Sequence, residues 1–350
     1  MIEPFLVVKI LGFSALAFAV ALFSTPLLTH FLYKYRLGKQ IRSAENAPIF
    51  ASMHAGKAGT PTMGGILIWG TVLMIAVVFS ALAALAPDTV FAQLNFLTRE
   101  QTYLPLGIMV VAAVIGLFDD LLGILKIGKN GGGLRMRERL LFYLAVAFIG
   151  AWWFYFKLDW SFIHVPFVGD FEIGLWYIPI FVFIITATAH STNITDGLDG
   201  LAGGVAAIAF ASYIVVAAAL GKPELAVFCS VVVGALLAFL WFNINPARFF
   251  MGDTGAMALG VSLGVIAMLT NTMFFLPLFA FVMVMESLSV LVQLSSKKLR
   301  GGKKIFLSTP IHHHFEAIGW PETKVTMRFW IISAIASFLG LALFVLEQSM

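Results

Sequence analysis

Nearly all the residues of this chain that could do chemistry fall in a few short polar segments. The sharpest is Asp119-Asp120, two adjacent carboxylates closing the apolar run 104–118. One charge at a bilayer centre costs about 2.5–3.5 kcal/mol on insertion scales. A pair at the end of an apolar run therefore either marks where the membrane stops or handles a metal ion and a phosphate. Carboxylates suit Mg²⁺, which takes one or two of them and completes its shell with water and phosphate oxygens. The same segment runs on through Lys126, Lys129, Gly131-Gly132-Gly133, Arg135, Arg137 and Arg139, a basic stretch that reads equally as a membrane anchor.

Asn193-Ile194-Thr195-Asp196-Gly197-Leu198-Asp199-Gly200 sets Asn193, Asp196 and Asp199 three apart, near one helical face. It holds no Lys or Arg, so a divalent ion or a ligand amine or hydroxyl is the natural balance for its carboxylates. Further on, Phe249-Phe250-Met251-Gly252-Asp253-Thr254-Gly255 puts a carboxylate where a helix start favours anions. Asp253-Thr254 as a plain helix cap is the simpler account, and the two Phe either stack a base or anchor the membrane boundary.

Lys57-Ala58-Gly59-Thr60-Pro61-Thr62-Met63-Gly64-Gly65 offers backbone, hydroxyl and ammonium donors to an anion, or is a Pro/Gly turn opening a span. It lacks the Gly-Lys-Ser/Thr order of a Walker A loop. His312-His313-His314 lie ~100° apart if helical, so at most two reach one site. With no cysteine or helically spaced partner they suit phosphate chemistry better than zinc. Glu286 is an acid inside an apolar run; a neutral Glu bonded to a neighbouring helix explains it as well as function does, so it stays outside the candidate site.

The elements that position these segments are apolar. The chain is 60% hydrophobic and 11% charged, with 34 Phe and 8 Trp. Runs at 6–29, 64–86, 104–118, 140–156, 174–190, 201–220, 224–241, 256–272, 274–296 and 327–346 predict an all-α polytopic membrane protein of about ten helices, one domain over 1–350. Lone Cys229 in an apolar run excludes a disulfide framework or cysteine metal cluster. Segments 30–63, 119–139, 191–200, 242–255 and 297–328 carry 18 of the 22 Lys and Arg; the opposite side holds only Lys9, Arg99, Lys157 and Lys222.

The positive-inside rule makes the first set cytoplasmic and both termini external, with the candidate site on the cytoplasmic face. The basic segment follows the first span rather than preceding it, so that span is not expected to be a cleaved signal. The charge balance is a topology signal, and nothing resembles a nucleic-acid surface. Segment 157–173 suggests a small β-hairpin, read as a solvated cap. A homodimer is compatible with this composition.

Gly59-Thr60-Pro61-Thr62-Met63-Gly64-Gly65, Phe118-Asp119-Asp120, Asn193–Ala202, Phe250-Met251-Gly252-Asp253 and Thr309–Glu316, in this order over about residues 30–346, resemble the polyprenyl-phosphate N-acetylhexosamine-1-phosphate transferase superfamily. The resemblance is nearest to the branch that uses UDP-MurNAc-pentapeptide. It implies ten helices and an enzyme of the multi-pass inner (plasma) membrane, acting in peptidoglycan synthesis. The implied reaction is UDP-MurNAc-pentapeptide plus undecaprenyl phosphate giving lipid I and UMP, with Mg²⁺.

It further implies Asp253 as the Mg²⁺ ligand and Asp119 and Asp120 at the lipid phosphate and its proton. Asn193, Asp196 and Asp199 would line the nucleotide-sugar site, Phe250 would stack uracil with Lys57 and Asn243 near it, and His312, His313 and His314 would sit by the diphosphate. Thr62 joins the substrate-binding set. The chain departs from the family pattern at Gly123 and Arg139, where Lys is common, and at His190, where Asn is common; Lys126 or Lys129 could stand in for the missing Lys at 123. The alternatives are a relative using UDP-GlcNAc and, more remotely, a secondary transporter, which would keep its polar residues near the midplane.

Overall fold

The computed structural model describes residues 3–35, 37–38, 57, 59–128 and 132–350. Ala58, Lys129 and Gly131, and also Arg36, Lys39 and Arg42 of the basic segment 30–63, lie outside the described residues. Apolar runs become helices because in lipid each backbone N–H and C=O must be paired within its own segment.

The order is α1 (Pro4–Lys34), α2 (Ile66–Leu85), a short α3 (Val90–Leu94), α4 (Tyr103–Ile124) and α5 (Met136–Lys157). A hairpin of β1 (Phe162–Val165) and β2 (Gly169–Glu172) follows, then α6 (Tyr177–Thr195), α7 (Leu201–Ala219), α8 (Pro223–Asn243) and α9 (Gly252–Leu269). The chain ends with α10 (Leu276–Phe279), α11 (Phe281–Leu299), α12 (Ile311–Ala317) and α13 (Glu322–Gln348). The strands pair antiparallel, Phe162 facing Glu172 and Val165 facing Gly169, so the expected hairpin is present.

Among the described residues nine helices (α1, α2, α4 to α9 and α13) are long and apolar enough to cross a membrane. The expected span 274–296 is instead the broken pair α10 and α11. Glu286, Ser289, Gln293 and Ser296 of α11 are buried, whereas Leu288, Leu291, Val292, Leu294 and Leu299 are exposed. Polar residues face in and apolar residues face out; α11 is 19 residues long, but Glu286, Gln293, Lys297 and Lys298 make it less apolar than the nine. Ser287 Oγ lies 2.7 Å from Ser191 Oγ, one turn from the end of α6, so the rest of α11 runs on past that end.

Contacts sort the connections into two ends. At one, the loops after α4, α6 and α8 meet the starts of α5, α9 and α13. At the other, the His164 N–H of the hairpin donates to Asn271, and its side chain reaches Glu347 near the C-terminus. Lys9, near the N-terminus, donates to the carbonyls of Gln93 in α3 and Asn95 just after it, at this second end. Both termini thus lie away from the first end, where the candidate residues gather.

Helix α9 is the hub. Of its most apolar stretch 94% is buried, against 22% for α1. It packs on α2, α4, α6 and α7. At Gly116 of α4 an added Cβ would lie 2.3 Å from the Asp253 carbonyl oxygen, so only glycine admits this approach.

Candidate active site

Adjacent residues on a helix point about 100° apart, and Asp119 and Asp120 divide their tasks accordingly. Asp120, 9% exposed, turns into the protein: its carboxylate accepts the N–H groups of Asp253 and Thr254 at 3.1 Å each. It thereby satisfies two donors that α9 leaves unpaired at its start and sits at the positive end of that helix. Thr62 Oγ1 donates to the same carboxylate at 3.4 Å. Gly252, at φ 75°, closes this corner; a Cβ there would lie 2.5 Å from Asp120 Oδ2 and 2.7 Å from Thr62 Oγ1. The cap of α9 therefore comes from α4, and the Asp253 side chain is left for other partners.

Asp119, 1% exposed, accepts the Leu134 N–H at 2.6 Å, and its other oxygen lies 2.5 Å from Arg139 Nε. The Nε–H does not point along that contact, so it is an ion pair rather than a hydrogen bond. Arg139 Nη2 is 2.9 Å from Asp253 Oδ2, and Nη1 reaches the side-chain oxygens of Asn193 and Asp253 at 3.4 Å each. The Asn193 amide donates to Asp253 as well. One guanidinium thus bridges carboxylates from α4 and α9 beside an amide from α6. The Glu138 side chain accepts the Arg135 N–H at 2.7 Å, closing the first turn of α5 that aims Arg139 inward.

A second cluster lies beside it. Lys57 Nζ is 2.6 Å from Asp199 Oδ1 and 2.5 Å from Glu322 Oε1, and stands 5.8 Å over the Phe250 ring. Glu322 Oε1 also accepts the Asp199 N–H at 2.6 Å, while Asp199 Oδ2 accepts from Asn245 Nδ2 and the Ala247 N–H at 3.0 Å each. Of the two phenylalanines, Phe249 is fully buried against Phe239 and Phe242, and Phe250 is the half-exposed one. Asn243 is a brace: its oxygen accepts the Gly200 N–H at 3.0 Å and its amide donates to the Phe249 carbonyl at 2.8 Å. Asp196 ends α6 half-buried.

The histidines fan out along α12. His312 is fully buried with Nδ1 2.9 Å from Glu286 Oε2. His313 Nδ1 meets Glu316 Oε2 at 2.7 Å. His314, half-buried, accepts the Leu307 N–H at Nδ1 at 3.2 Å, which leaves the proton of its neutral ring on Nε2.

The glycines of 57–65 take a different part from the anion cradle considered above. Gly64 and Gly65 donate to the carbonyls of Phe250 and Met251 at 2.8 Å each, and Phe250 donates to Pro61 at 2.8 Å. The segment is a short ladder that fixes the 250–253 corner.

From sequence, Arg139 reads only as an anchor or a family departure and Glu286 stays outside the site, while Glu322 and Asn245 belong to no candidate set. An acid opening an apolar helix behind Pro321 was the available signal for Glu322; Asn245 gave none. Lys126 is exposed, and a Cβ at Gly123 would meet nothing within 4 Å, so neither position contributes to the bridge that Arg139 makes.

Residues 102–271 match the family model of glycosyl transferase family 4, and residues 57–68 match the phospho-N-acetylmuramoyl-pentapeptide-transferase signature 1. The chain is 38% identical over 343 residues to the phospho-N-acetylmuramoyl-pentapeptide-transferase of Chloroflexus aurantiacus, covering 94% of this chain and 88% of that protein. Proteins of the same name are similar in Geobacillus sp. strain WCH70 (36% over 347 residues; 97% and 98% covered) and Clostridium novyi (39% over 326; 93% of each).

Proposed function

The chain belongs to the phospho-N-acetylmuramoyl-pentapeptide-transferase family, and on that premise we propose that it makes lipid I for peptidoglycan synthesis. It moves phospho-MurNAc-pentapeptide from UDP-MurNAc-pentapeptide to undecaprenyl phosphate and releases UMP. The observation that carries this reading is identity along almost the whole chain, together with the convergence of the dispersed polar segments on one end of the bundle. The protein is multi-pass; its place is the inner membrane, with that end on the cytoplasmic face and both termini outside, which the positive-inside distribution supports.

A lipid phosphate and a nucleotide diphosphate repel, so cationic groups must screen them while they align. Among the described residues Arg139 and Lys57 are cations that pair with the converging carboxylates. A phosphate oxygen of the lipid attacks the sugar-side phosphorus, and the bond from that phosphorus to the bridging oxygen breaks, so the oxygen leaves with UMP. Direct attack is favoured over an aspartyl-phosphate intermediate because Asp120 is engaged as the cap of α9 and Asp119 is buried between Leu134 and Arg139. Lys57 over Phe250, with Asp199 and Glu322 behind, forms the nucleoside end.

The donor set fits a magnesium ion. Asp119 and Asp253 already face one cation, the Arg139 guanidinium, with oxygen atoms only. Among the described residues no three His, Cys, Asp or Glu side chains enclose a metal, so such an ion would have to take most of its ligands from phosphate and water. Asp253 would hold it, with Asp119 the second carboxylate within reach. When bound, the ion would neutralise diphosphate charge and favour departure of UMP.

The purified chain with undecaprenyl phosphate and UDP-MurNAc-pentapeptide should yield UMP and lipid I stoichiometrically. Turnover of UDP-GlcNAc alone would overturn the substrate assignment, and substrate movement without UMP release would indicate a carrier.

A further inference from the structure

Glu286 and His312 form a fully buried pair outside the carboxylate bridge. Glu286 Oε2 and His312 Nδ1 are 2.9 Å apart, both residues are 0% exposed, and Glu286 Oε1 and His312 Nε2 have no hydrogen-bond partner among the described residues. Burying ionisable groups is costly, and breaking such a pair on one side is costlier still, because the survivor is left without compensation. Something must hold the pair in place.

The surroundings show what it holds. An added Cβ at Gly197 would lie 2.2 Å from His312 Nε2 and 2.8 Å from Cε1, so the imidazole occupies the space a side chain at 197 would need. Gly197 sits between Asn193, which bonds Asp253, and Asp199, which holds Lys57. On the other flank the rings of His312 and His313 are 4.1 Å apart. Glu286 itself is anchored beside the last turn of α6, where its neighbour Ser287 meets Ser191. One hydrogen bond therefore links α11, the histidine turn and the 193–200 loop.

We propose that Glu286 is a positioning residue. It holds the proton of His312 on Nδ1 and seats the ring as a wedge against Gly197, setting the distance between the histidine turn and the aspartate loop. His312 then acts through its neighbours, and the substrate is left to the other histidines of the turn. This rests on the transfer reaction proposed above.

The test uses the full chain purified in detergent, with steady-state UMP release measured for wild type, E286L, E286Q, H312N and the double variant E286L/H312N. Misplacing a reacting group by about 1 Å costs on the order of 10²-fold, so E286L should lower kcat by that order while KM for the nucleotide sugar stays within about threefold. E286Q keeps an acceptor for Nδ1–H and should stay within about fivefold of wild type. E286L/H312N should lose no more than E286L alone, because the residues act as one unit.

Should E286L not fold, G197A serves instead. It should lower kcat by forcing the ring aside, and H312A in the same chain should restore part of the loss. The proposal is overturned if E286L keeps wild-type kcat, if E286Q falls as far as E286L, if the two losses multiply, or if H312A fails to relieve G197A. These ratios can be read on whichever nucleotide sugar the wild type turns over, so a wrong substrate assignment shows in the wild type alone.

Discussion

Both ends of the bundle place one basic side chain between two carboxylates, and the two arrangements differ in the burial of one of those acids and in whether the base titrates. At the hairpin end, His164 lies between Asp170 (2.6 Å) and Glu347 (2.8 Å), and the Asp170 side chain is 63% exposed. At the other end, Arg139 lies between Asp119 and Asp253, and the Asp119 side chain is 0% exposed. Water reaches the first cluster on its Asp170 side, while Glu347 is only 9% exposed; the cluster ties the hairpin to α13 and works as a strap. The second is drawn from separate helices into a place where charge is poorly screened. Geometry held at that cost is what a phosphate-transfer site needs, since its groups must be aligned before the substrate arrives.

The comparison is sharpest at Asp253. D253A should cut UMP release by on the order of 10³-fold with the fold retained, whereas D170N at the strap should leave turnover at the wild-type level. Equal losses would erase the distinction. R139K keeps the charge and gives up the planar fork that spans two carboxylates and Asn193, so turnover should fall on the order of tenfold, less than for R139A. An R139K enzyme as active as wild type would mean that charge alone suffices. Next in size, E322Q should raise KM for the nucleotide sugar several-fold, about 1 kcal/mol of lost Lys57 and Asp199 positioning, with kcat little changed.

The smallest effect belongs to the strap and appears in stability. Burial opposes protonation of His164, but its hydrogen bonds to Asp170 and Glu347 outweigh it and raise its pKa above the ordinary histidine value. A folded-state pKa above the unfolded one means stability that is fully present below about pH 6.5 and is lost as pH rises through the raised value. Melting temperature of the wild type should therefore decline from pH 6 toward alkaline pH by more than that of H164Q. Parallel curves for the two proteins would show that the strap does not titrate.

Much of this architecture is legible in the sequence because hydropathy and charge asymmetry act locally. The apolar runs, the hairpin at 157–173 and the grouping of polar segments at one end all follow from neighbours along the chain. What was hidden depends on tertiary partners. Arg139 looks like any membrane-anchoring arginine, since its role is defined only by Asp119 and Asp253, which arrive from elsewhere. Asn243 reads as a ligand group until its amide is seen bonded to Gly200 and Phe249. The expected span 274–296 misses the helix break after Phe279, because an average over the run cannot see where a helix is interrupted.

The corner where Asp120 caps α9 has a consequence for how this chain can change. Gly252 leaves no room for a methyl group because Asp120 and Thr62 stand there, and Asp120 is held by donors that exist only because α9 begins at that point. Positions 62, 120 and 252, far apart in the chain, thus behave as one unit of substitution. A longer acid at 120 or any side chain at 252 must be accompanied by a matching retreat at the others. The two neighbouring aspartates are consequently open to different replacements: at 119 one oxygen is held by the Leu134 N–H and the other by a flexible arginine that can follow a change, whereas at 120 both oxygens are held by fixed backbone.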